Sequence, residues 1–201
     1  GIGIADRPWS DSRRQIIRDR RNVPTEVLAT AVATHGVPVF LSASGIGIYG
    51  DTGDTVVDES APPGQGFLAE VVRDWEAATA PAAEGGARVV MLRTGLVLSP
   101  AGGLLGRLRT LFKLALGGRL GDGRQYMPWI SLDDVIGAMA FLLDADVHGP
   151  VNLTGPNPVT NAEFTKALAE SVGRPAPFAV PAFVLRALPG SIGEELALYG
   201  Q

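Results

Sequence analysis

Cysteine is absent from this 201-residue sequence, and histidine occurs only twice, as His35 and His148. The lack of cysteine excludes disulfide bonds, thiolate catalysis and cysteine-ligated zinc or iron–sulfur sites. Two histidines far apart in the sequence do not favour a histidine-based metal site, so we predict that no metal is bound. Any chemistry must then rest on hydroxyls, carboxylates, arginines and a bound cofactor.

The sequence also lacks long apolar runs and an excess of basic residues. No stretch approaches the roughly 18 uninterrupted apolar residues that a membrane-spanning helix needs, and the formal net charge is −4. We therefore expect neither a membrane nor a nucleic acid as partner, and we find no signal peptide pattern, which indicates a cytoplasmic protein. The five arginines within residues 13–21 are interpreted as a solvated helix face, with a phosphate-contacting patch as the alternative.

Apolar residues make up 46% of the chain, and 26 glycines and 15 prolines indicate frequent turns. Two apolar runs, at 37–44 and 88–98, are typical of strands buried on both faces. A helix with Ser10 as its N-cap should begin near the start of the chain and be kinked or broken at Pro24. Periodicity predicts helices over 10–34, 67–83, 104–116, 133–144, 160–172, 181–188 and 192–199, and extended segments at 126–131 and 150–154.

Alternation of helices with buried strands predicts an α/β fold with a parallel sheet. The segment 37–44 would then be the first strand of that sheet. An apolar strand makes a poor sheet edge because its unpaired backbone groups attract other chains. Nothing in residues 1–36 is typical of a strand that could cover it, so we expect that the chain lacks an N-terminal part of the protein.

Four segments resemble, in order and spacing, motifs of the extended short-chain dehydrogenases/reductases. The longer segment 152–161, NLTGPNPVTN, is similar to the atypical members of that group, the epimerase-family or sugar-nucleotide-epimerase-like proteins. The first is LSASGIGIYG at 41–50, where the family has S-S-x-x-V-Y-G, and the second is E-x-x-P at 59–62 with F-x-x-x-V at 67–71, where the family has E-x-x-P and Y-x-x-x-K. The third is RTGLVLSP at 93–100, where the family has R-x-x-N-V-Y-G-P. The fourth is WISLDDV at 129–135, where the family has F-V-H-V-x-D-V.

This resemblance implies the C-terminal part of a Rossmann-type, doubly wound parallel sheet, built from residues 1–99 and 133–154. A small α-rich substrate-binding lobe would be formed by 100–132 and 155–201. The implied cofactor is NAD or NADP, in a site that is incomplete in this chain because the G-x-x-G-x-x-G loop would lie upstream. The implied partner is a small polar substrate, with a nucleotide sugar as one candidate, and a homodimer is left open.

The glycines of G-I-G-I-Y-G at 45–50 follow a predicted strand but do not open a helix. A phosphate-binding loop needs the amide groups of a helix N-terminus. We therefore interpret this segment as a tight turn of the active site rather than as a dinucleotide motif.

The resemblance implies two catalytic candidates, Ser44 and Tyr49. Ser44 stands where the family has its active-site serine, whereas Phe67 and Val71 replace the tyrosine and lysine that usually follow. Phenylalanine has no proton to give and valine no charge, so Tyr49 is the nearest alternative acid. Three carboxylates nearby in the sequence are further candidates, namely Asp51, Glu59 and Glu70. A phenol in this role would need a cation such as Arg93 or the nicotinamide ring beside it. The alternative is that Tyr49 is a packed aromatic residue.

The same resemblance places cofactor contacts at Ser42, Ala43, Arg93, Thr94 and Gly95, although Arg93 could instead hold a backbone carbonyl. Substrate contacts are expected from two further residues, Gln125 and Trp129, with a core position as the alternative for the tryptophan.

Four other polar residues are interpreted as structural. We expect Asp134 to cap a helix, Asn152 and Asn161 to be turn or cap residues, and Glu76 to pair with a neighbouring arginine without a catalytic role.

Three functions remain open at this point. The first is an NAD(P)-dependent oxidoreductase or epimerase-like enzyme in which Ser44 orients the substrate oxygen. The second is a dinucleotide-binding sensor or regulatory protein without turnover, which the loss of the tyrosine–lysine pair favours. The third is that the isolated chain binds no cofactor.

Overall fold

The computed structural model describes Ile4 and residues 8–186. Its helices are α1 (Asp11–His35), α2 (Phe67–Ala77), α3 (Ala80–Glu84), α4 (Gly103–Lys113), α5 (Leu132–Asp144), α6 (Asn161–Val172) and α7 (Ala182–Arg186). Its strands are β1 (Val39–Gly45), β2 (Arg88–Thr94), β3 (Leu96–Leu98), β4 (Gly118–Leu120), β5 (Tyr126–Met127), β6 (Trp129–Ser131), β7 (Gly149–Leu153), β8 (Val159–Thr160) and β9 (Phe178–Val180). The helix predicted at 192–199 and the end of the one predicted at 181–188 lie outside the described residues.

The central sheet is parallel and has the strand order β1-β2-β7. Helices α1 and α3 cover one face, where they pack on Phe40, Val89 and Met91. Helix α5 covers the opposite face, where it packs on Leu41, Val90 and Leu92. Successive side chains of a strand point to opposite faces, so each of these apolar strands contributes side chains to the hydrophobic cores on both faces of the sheet. The predicted α/β class is confirmed.

Helix α1 runs without interruption through Pro24, so of the two expected outcomes the break is wrong and the kink stays a prediction. Its start is as predicted, because the Ser10 side chain accepts a hydrogen bond from the backbone of Arg13. Proline removes one backbone hydrogen bond from a helix interior. Contacts on both sides of it hold the helix together, since Ile17 is fully buried and Thr25 accepts a hydrogen bond of 2.8 Å from the Trp75 indole.

Two predicted elements are each divided in the structure. The helix expected over 67–83 ends at Ala77 and resumes as α3, whose first turn contains Pro81. The strand expected over 88–98 changes sheet at Gly95. There the Gly95 amide donates to Leu153 O and the next amide donates to Pro128 O, so β3 pairs with β6. A β-carbon at Gly95 would collide with the Pro128 carbonyl, which explains the glycine.

The caps of α5 and α6 are side-chain hydrogen bonds to the first turn. Thr160 and Glu163 form the predicted capping box of α6. Hydrogen bonds from Thr160 lower the pKa of the Glu163 carboxyl below its ordinary value. The cap of α5 is Ser131, which accepts from the Asp134 amide at 3.0 Å, so the expectation that Asp134 is the cap is wrong. Asp134 instead lies in the first turn and accepts from the serine hydroxyl.

A second, smaller core lies between α4 and α6. It contains Phe112, Phe164 and Leu168, with Leu105 and Leu108 packed against it. The short pairs β4–β9 and β5–β8 accompany it. Among the described residues, no helix is both long and apolar enough to cross a membrane.

Candidate functional site

Three polar residues form a row across the central sheet. The strand register pairs Ser44 of β1 with Arg93 of β2, and Arg93 with Asn152 of β7. Residues paired in a parallel sheet project to the same face, here the face opposite α5. The row lies near the carboxyl ends of the strands, where open α/β sheets bind their ligands.

Helix α2 supplies the carboxylate that holds two members of this row. Glu76 accepts from Arg93 Nε at 2.8 Å and from Nη2 at 2.9 Å, a bidentate ion pair. The same carboxylate accepts from the Ser44 hydroxyl at 2.6 Å. The Arg93 and Glu76 side chains are only 7% and 11% exposed, and Glu76 raises the pKa of the guanidinium above its ordinary value. Arg93 is therefore charged throughout the physiological range.

Tyr49 joins the other end of the row. Its hydroxyl accepts from Arg93 Nη1 at 2.9 Å and donates to Asn152 Oδ1 at 2.7 Å. Arg93 can only donate and Glu76 only accept, so the direction of every hydrogen bond is determined. The result is a continuous chain of Ser44, Glu76, Arg93, Tyr49 and Asn152, which we call the polar network.

Two glycines hold Tyr49 in this position. Tyr49 ends a 3₁₀ turn, and Gly50 follows it with a φ of 64°, a conformation that favours glycine. Gly64 packs against the peptide after Tyr49, where a β-carbon would collide with the Tyr49 carbonyl, and its amide donates to Ile48 O at 2.8 Å. The loop from 51 to 66 thus returns to the turn that carries the phenol.

The two asparagines expected at turns or caps have other roles. Asn152 lies within β7. Its side-chain oxygen accepts a hydrogen bond from Tyr49, and its backbone N–H donates to the Glu59 carboxylate at 2.7 Å. Asn161 is buried at the start of α6, and its Oδ1 accepts from the Leu120 amide at 2.8 Å. Both expectations are therefore wrong: long-range contacts, which no local pattern shows, determine these residues.

Phe67 and Val71 are core residues. They are 5% and 1% exposed and pack in one cluster with Trp9 and Ile17. The Trp9 ring meets the Phe67 ring edge-on at a centroid distance of 5.0 Å. Helix α2 thus packs these two positions against the start of α1, and neither offers a group that could transfer a proton.

A cavity of about 350 Å³ adjoins the polar network. Tyr49 and Asn152 contribute to its wall, as do the loop residues 52–57 and the segments around Tyr126, Pro128 and Thr154. The network is therefore accessible from the side of its phenol, while Ser44 and Glu76 lie at its inner end. A concave site with a few convergent polar groups is the usual form of a small-molecule site.

The five residues expected to contact a cofactor fall into two groups. Ser42 and Arg93 lie on the face of α2, where Ser42 is buried. Ala43 and Thr94 lie on the face of α5, and Ala43 is exposed there. Gly95 follows directly and is explained by its close contact with Pro128. All five lie near the same end of the sheet.

The expected substrate contacts, Gln125 and Trp129, lie beside the cavity rather than in its wall, to which Tyr126 and Pro128 contribute. Gln125 donates to Leu120 O at 3.1 Å. The half-buried Trp129 ring stands beside Gly155, where a β-carbon would lie 3.7 Å from Cε2. These contacts stay predictions.

Sequence reasoning missed the importance of Glu76, Asn152 and Gly64. The expected pairing of Glu76 with an arginine is confirmed, whereas its contact with Ser44 does not follow from the sequence. The signal that the sequence offers is that a carboxylate such as Glu76, on the apolar side of a helix, requires a polar partner when it is buried. Nothing in the sequence indicated that Gly64, 15 residues after Tyr49, would support it.

Both the sequence and the fold of this chain are similar to those of known proteins. The profile of the NAD dependent epimerase/dehydratase family matches residues 3–154. Epimerase family protein Mb2239 of Mycobacterium bovis is 54% identical over 202 residues, which cover 100% of this chain and 67% of that protein. The chain thus spans about two thirds of the length of this relative.

Two solved structures are similar over nearly the whole chain. The crystal structure of human epimerase family protein SDR39U1 (isoform 2) with NADPH has a TM-score of 0.91 and 32% identity, covering 100% of this chain and 70% of that one. A nucleoside-diphosphate sugar epimerase from Corynebacterium glutamicum has a TM-score of 0.74 and 40% identity, covering 96% of this chain and 45% of that one. These similarities confirm the expected Rossmann-type fold.

Proposed function

Because the chain belongs to the NAD dependent epimerase/dehydratase family, we propose that it forms the catalytic and substrate-binding part of an NAD(P)-dependent oxidoreductase or epimerase-like enzyme. Its substrate is a small polar molecule with a hydroxyl or carbonyl group; a nucleotide sugar is the candidate that the names of its relatives suggest. The observation that carries the proposal is the Tyr49 phenol, bonded to the buried cation Arg93 and contributing to the wall of a cavity.

The carboxyl ends of β1 and β2 fit the nicotinamide end of a dinucleotide. On the face of α5, Ala43 is exposed, Gly45 has no side chain, and Thr94 offers a hydroxyl. A β-carbon at Gly45 would lie in ordinary van der Waals contact with the Val72 side chain at 3.9 Å, so the exposed position on this face is Ala43. A bound nicotinamide would supply a hydride to a carbonyl carbon or take one from an alcohol carbon.

The residues of the chain supply the proton chemistry. In the reductive direction the Tyr49 hydroxyl turns from Asn152 Oδ1 to the substrate oxygen and gives its proton to that oxygen, which becomes a hydroxyl, and water then restores the proton to Oη. Arg93 at 2.9 Å stabilises the negative charge that develops on Oη. Asn152 orients the phenol, and Glu76 orients both Ser44 and Arg93.

Replacing Tyr49 by phenylalanine tests this assignment. The Tyr49→Phe variant retains the ring and loses the proton, so we expect kcat to fall about 100-fold or more. We expect the affinity for NADPH, measured by its fluorescence, to be unchanged. The matched control Tyr126→Phe removes a phenol outside the network, and there we expect KM to change while kcat stays within about threefold. Equal kcat in both variants would contradict the role of Tyr49.

The second candidate is a dinucleotide-binding sensor without turnover. The burial of Phe67 and Val71 in an apolar cluster favours it, because that helix carries no acid–base pair. NADPH binding together with no oxidation across a panel of carbonyl compounds would support the sensor. Absence of NADPH binding would contradict both candidates.

A further inference from the structure

We infer that Glu59 is a positioning residue for Tyr49, which holds the phenol through Asn152 and Arg93 and connects it to the loop that contributes to the cavity wall. The inference rests on the proposed function for the proton transfer at Tyr49. It deepens that function by assigning a role to a carboxylate outside the polar network.

Glu59 contacts both residues that bind the Tyr49 hydroxyl. Its carboxylate Oε1 accepts a hydrogen bond of 2.7 Å from the backbone N–H of Asn152, and its carbonyl oxygen accepts one of 3.4 Å from Arg93 Nη1. Asn152 Oδ1 in turn accepts from the phenol, and the same Arg93 Nη1 donates to it. Glu59 is therefore joined to the phenol by two routes, each of which needs only one residue between them.

The carboxylate of Glu59 takes the place of a neighbouring strand. In the part of the chain that the structure describes, β7 is an edge strand of the central sheet, because it pairs with β2 alone. A backbone N–H at such an edge needs an acceptor, and a carboxylate binds it more strongly than a neutral oxygen does. Glu59 thus fixes the backbone of Asn152, whose side chain reaches Tyr49.

Apolar contacts on both sides of Glu59 determine where its carboxylate lies. Val57 and Ala61 pack against the buried cluster that contains Tyr49. Between them, the Ala61 N–H donates to the carbonyl of Asp58 at 3.1 Å and closes a turn around Glu59. The carboxylate and the phenol are therefore supported by the same packed cluster.

The loop segment before Glu59 forms part of the cavity wall. Residues 52–57 contribute to this wall together with Tyr49 and Asn152. A substrate in the cavity therefore contacts a segment whose end is fixed at Glu59. Because a misplacement of about 1 Å in the reacting groups can slow a reaction about 100-fold, this anchor matters for the rate as well as for the fold.

NMR measures the position of the phenol without turnover. In protein labelled with carbon-13 at the ζ-carbon of tyrosine, the Tyr49 signal is identified by its loss in Tyr49→Phe, and its shift reports the hydrogen bonds of the hydroxyl. We expect Glu59→Ala to move this signal. We also expect it to speed hydrogen exchange of the Asn152 amide about tenfold or more, because a bond to a charged acceptor is lost.

Two further variants serve as controls for this measurement. Glu59→Gln retains an acceptor oxygen and should leave the Tyr49 signal near its natural position. Asp58→Ala removes a carboxylate from the same turn whose hydrogen bonds go to Ser60, and it should also leave the signal in place. An unmoved Tyr49 signal in Glu59→Ala, or an equal shift in Asp58→Ala, would overturn the inference.

Kinetics separate positioning from a merely structural role. With NADPH and 4-nitrobenzaldehyde, we expect Glu59→Ala to lower kcat about tenfold or more at unchanged NADPH affinity, and Glu59→Gln and Asp58→Ala to stay within about threefold. The value of kcat is referred to sites counted by NADPH binding, so a smaller folded fraction does not lower it. In the Tyr49→Phe background, Glu59→Ala should lower kcat by less than about a further twofold, because its effect passes through the phenol.

The outcomes distinguish this inference from the proposed function. Normal kcat in Glu59→Ala, or a further tenfold loss when it is added to Tyr49→Phe, would overturn the role of Glu59. Normal kcat in Tyr49→Phe, or no turnover by the natural protein, would contradict the proposed function, and the Tyr49 signal would then decide whether Glu59 positions the phenol.

Discussion

Arg93 and Glu76 form a buried ion pair that has both a structural and a functional consequence. Taking two charges out of water is costly, and the pair is stable because its geometry is bidentate and Ser44 and Tyr49 satisfy the remaining groups. The same arrangement orients two side chains that the mechanism uses. Ser44 and Arg93 could be proposed from their positions in motifs, but Glu76 joins them only through packing of α2 on the sheet.

Replacing Glu76 by glutamine tests the pair. Glu76→Gln keeps the shape but leaves the Arg93 charge uncompensated, so we expect the free energy of unfolding in urea to fall by about 3–5 kcal/mol. The control Glu170→Gln removes an exposed pair with Lys166 at 4.0 Å and should change stability by less than about 0.5 kcal/mol. Similar losses in the two variants would contradict the account of the buried pair.

Helix α2 shows why one element can resemble an enzyme motif and lack its chemistry. Its buried residues lie on two sides, because Phe67 and Val71 face α1 while Val72 packs with Ile48 and Tyr49. The positions of the usual tyrosine and lysine are therefore occupied by core packing. The acid–base role that we propose for Tyr49 lies one element earlier, on the turn after β1.

Restoring the lysine of the family motif should damage the fold rather than improve activity. Val71→Lys would bury an ammonium group at a position that is 1% exposed, so we expect a loss of at least about 3 kcal/mol in the free energy of unfolding. The matched control Val27→Lys, at a position 63% exposed on α1, should stay within about 0.5 kcal/mol of the natural protein. A Val71→Lys variant of normal stability would show that this position faces solvent or a ligand.

Element boundaries show the limits of sequence reasoning. Strands β1, β2 and β7, helices α5 and α6 and the capping box at Thr160 follow from local periodicity and capping chemistry, whereas the short strands β4, β8 and β9 are not predicted. The continuity of α1 through Pro24 and the change of sheet at Gly95 depend on contacts with Trp75 and Pro128, which are distant in sequence. Local patterns cannot include such contacts.

At the scale of the whole molecule, the candidate site is assembled by strand pairing. The bond between Tyr49 and Asn152 joins residues 103 positions apart, and Ser44 and Arg93 meet across neighbouring strands. The class of fold and several site residues could be predicted because the motifs mark strand ends. The closed hydrogen-bond network could not, since it depends on the register of three strands and the packing of α2.

We propose that this assembly moves a proton at Tyr49 while a nicotinamide exchanges a hydride. The most direct test incubates the protein with NADPH deuterated at C4 and an uncharged aldehyde, and measures deuterium bound to carbon in the alcohol product. We expect deuterium transfer by the natural protein, and in Tyr49→Phe we expect the transfer rate to be lower by about 100-fold or more at equal NADPH affinity. Binding of NADPH without deuterium transfer by the natural protein, or transfer at the natural rate by Tyr49→Phe, would contradict it.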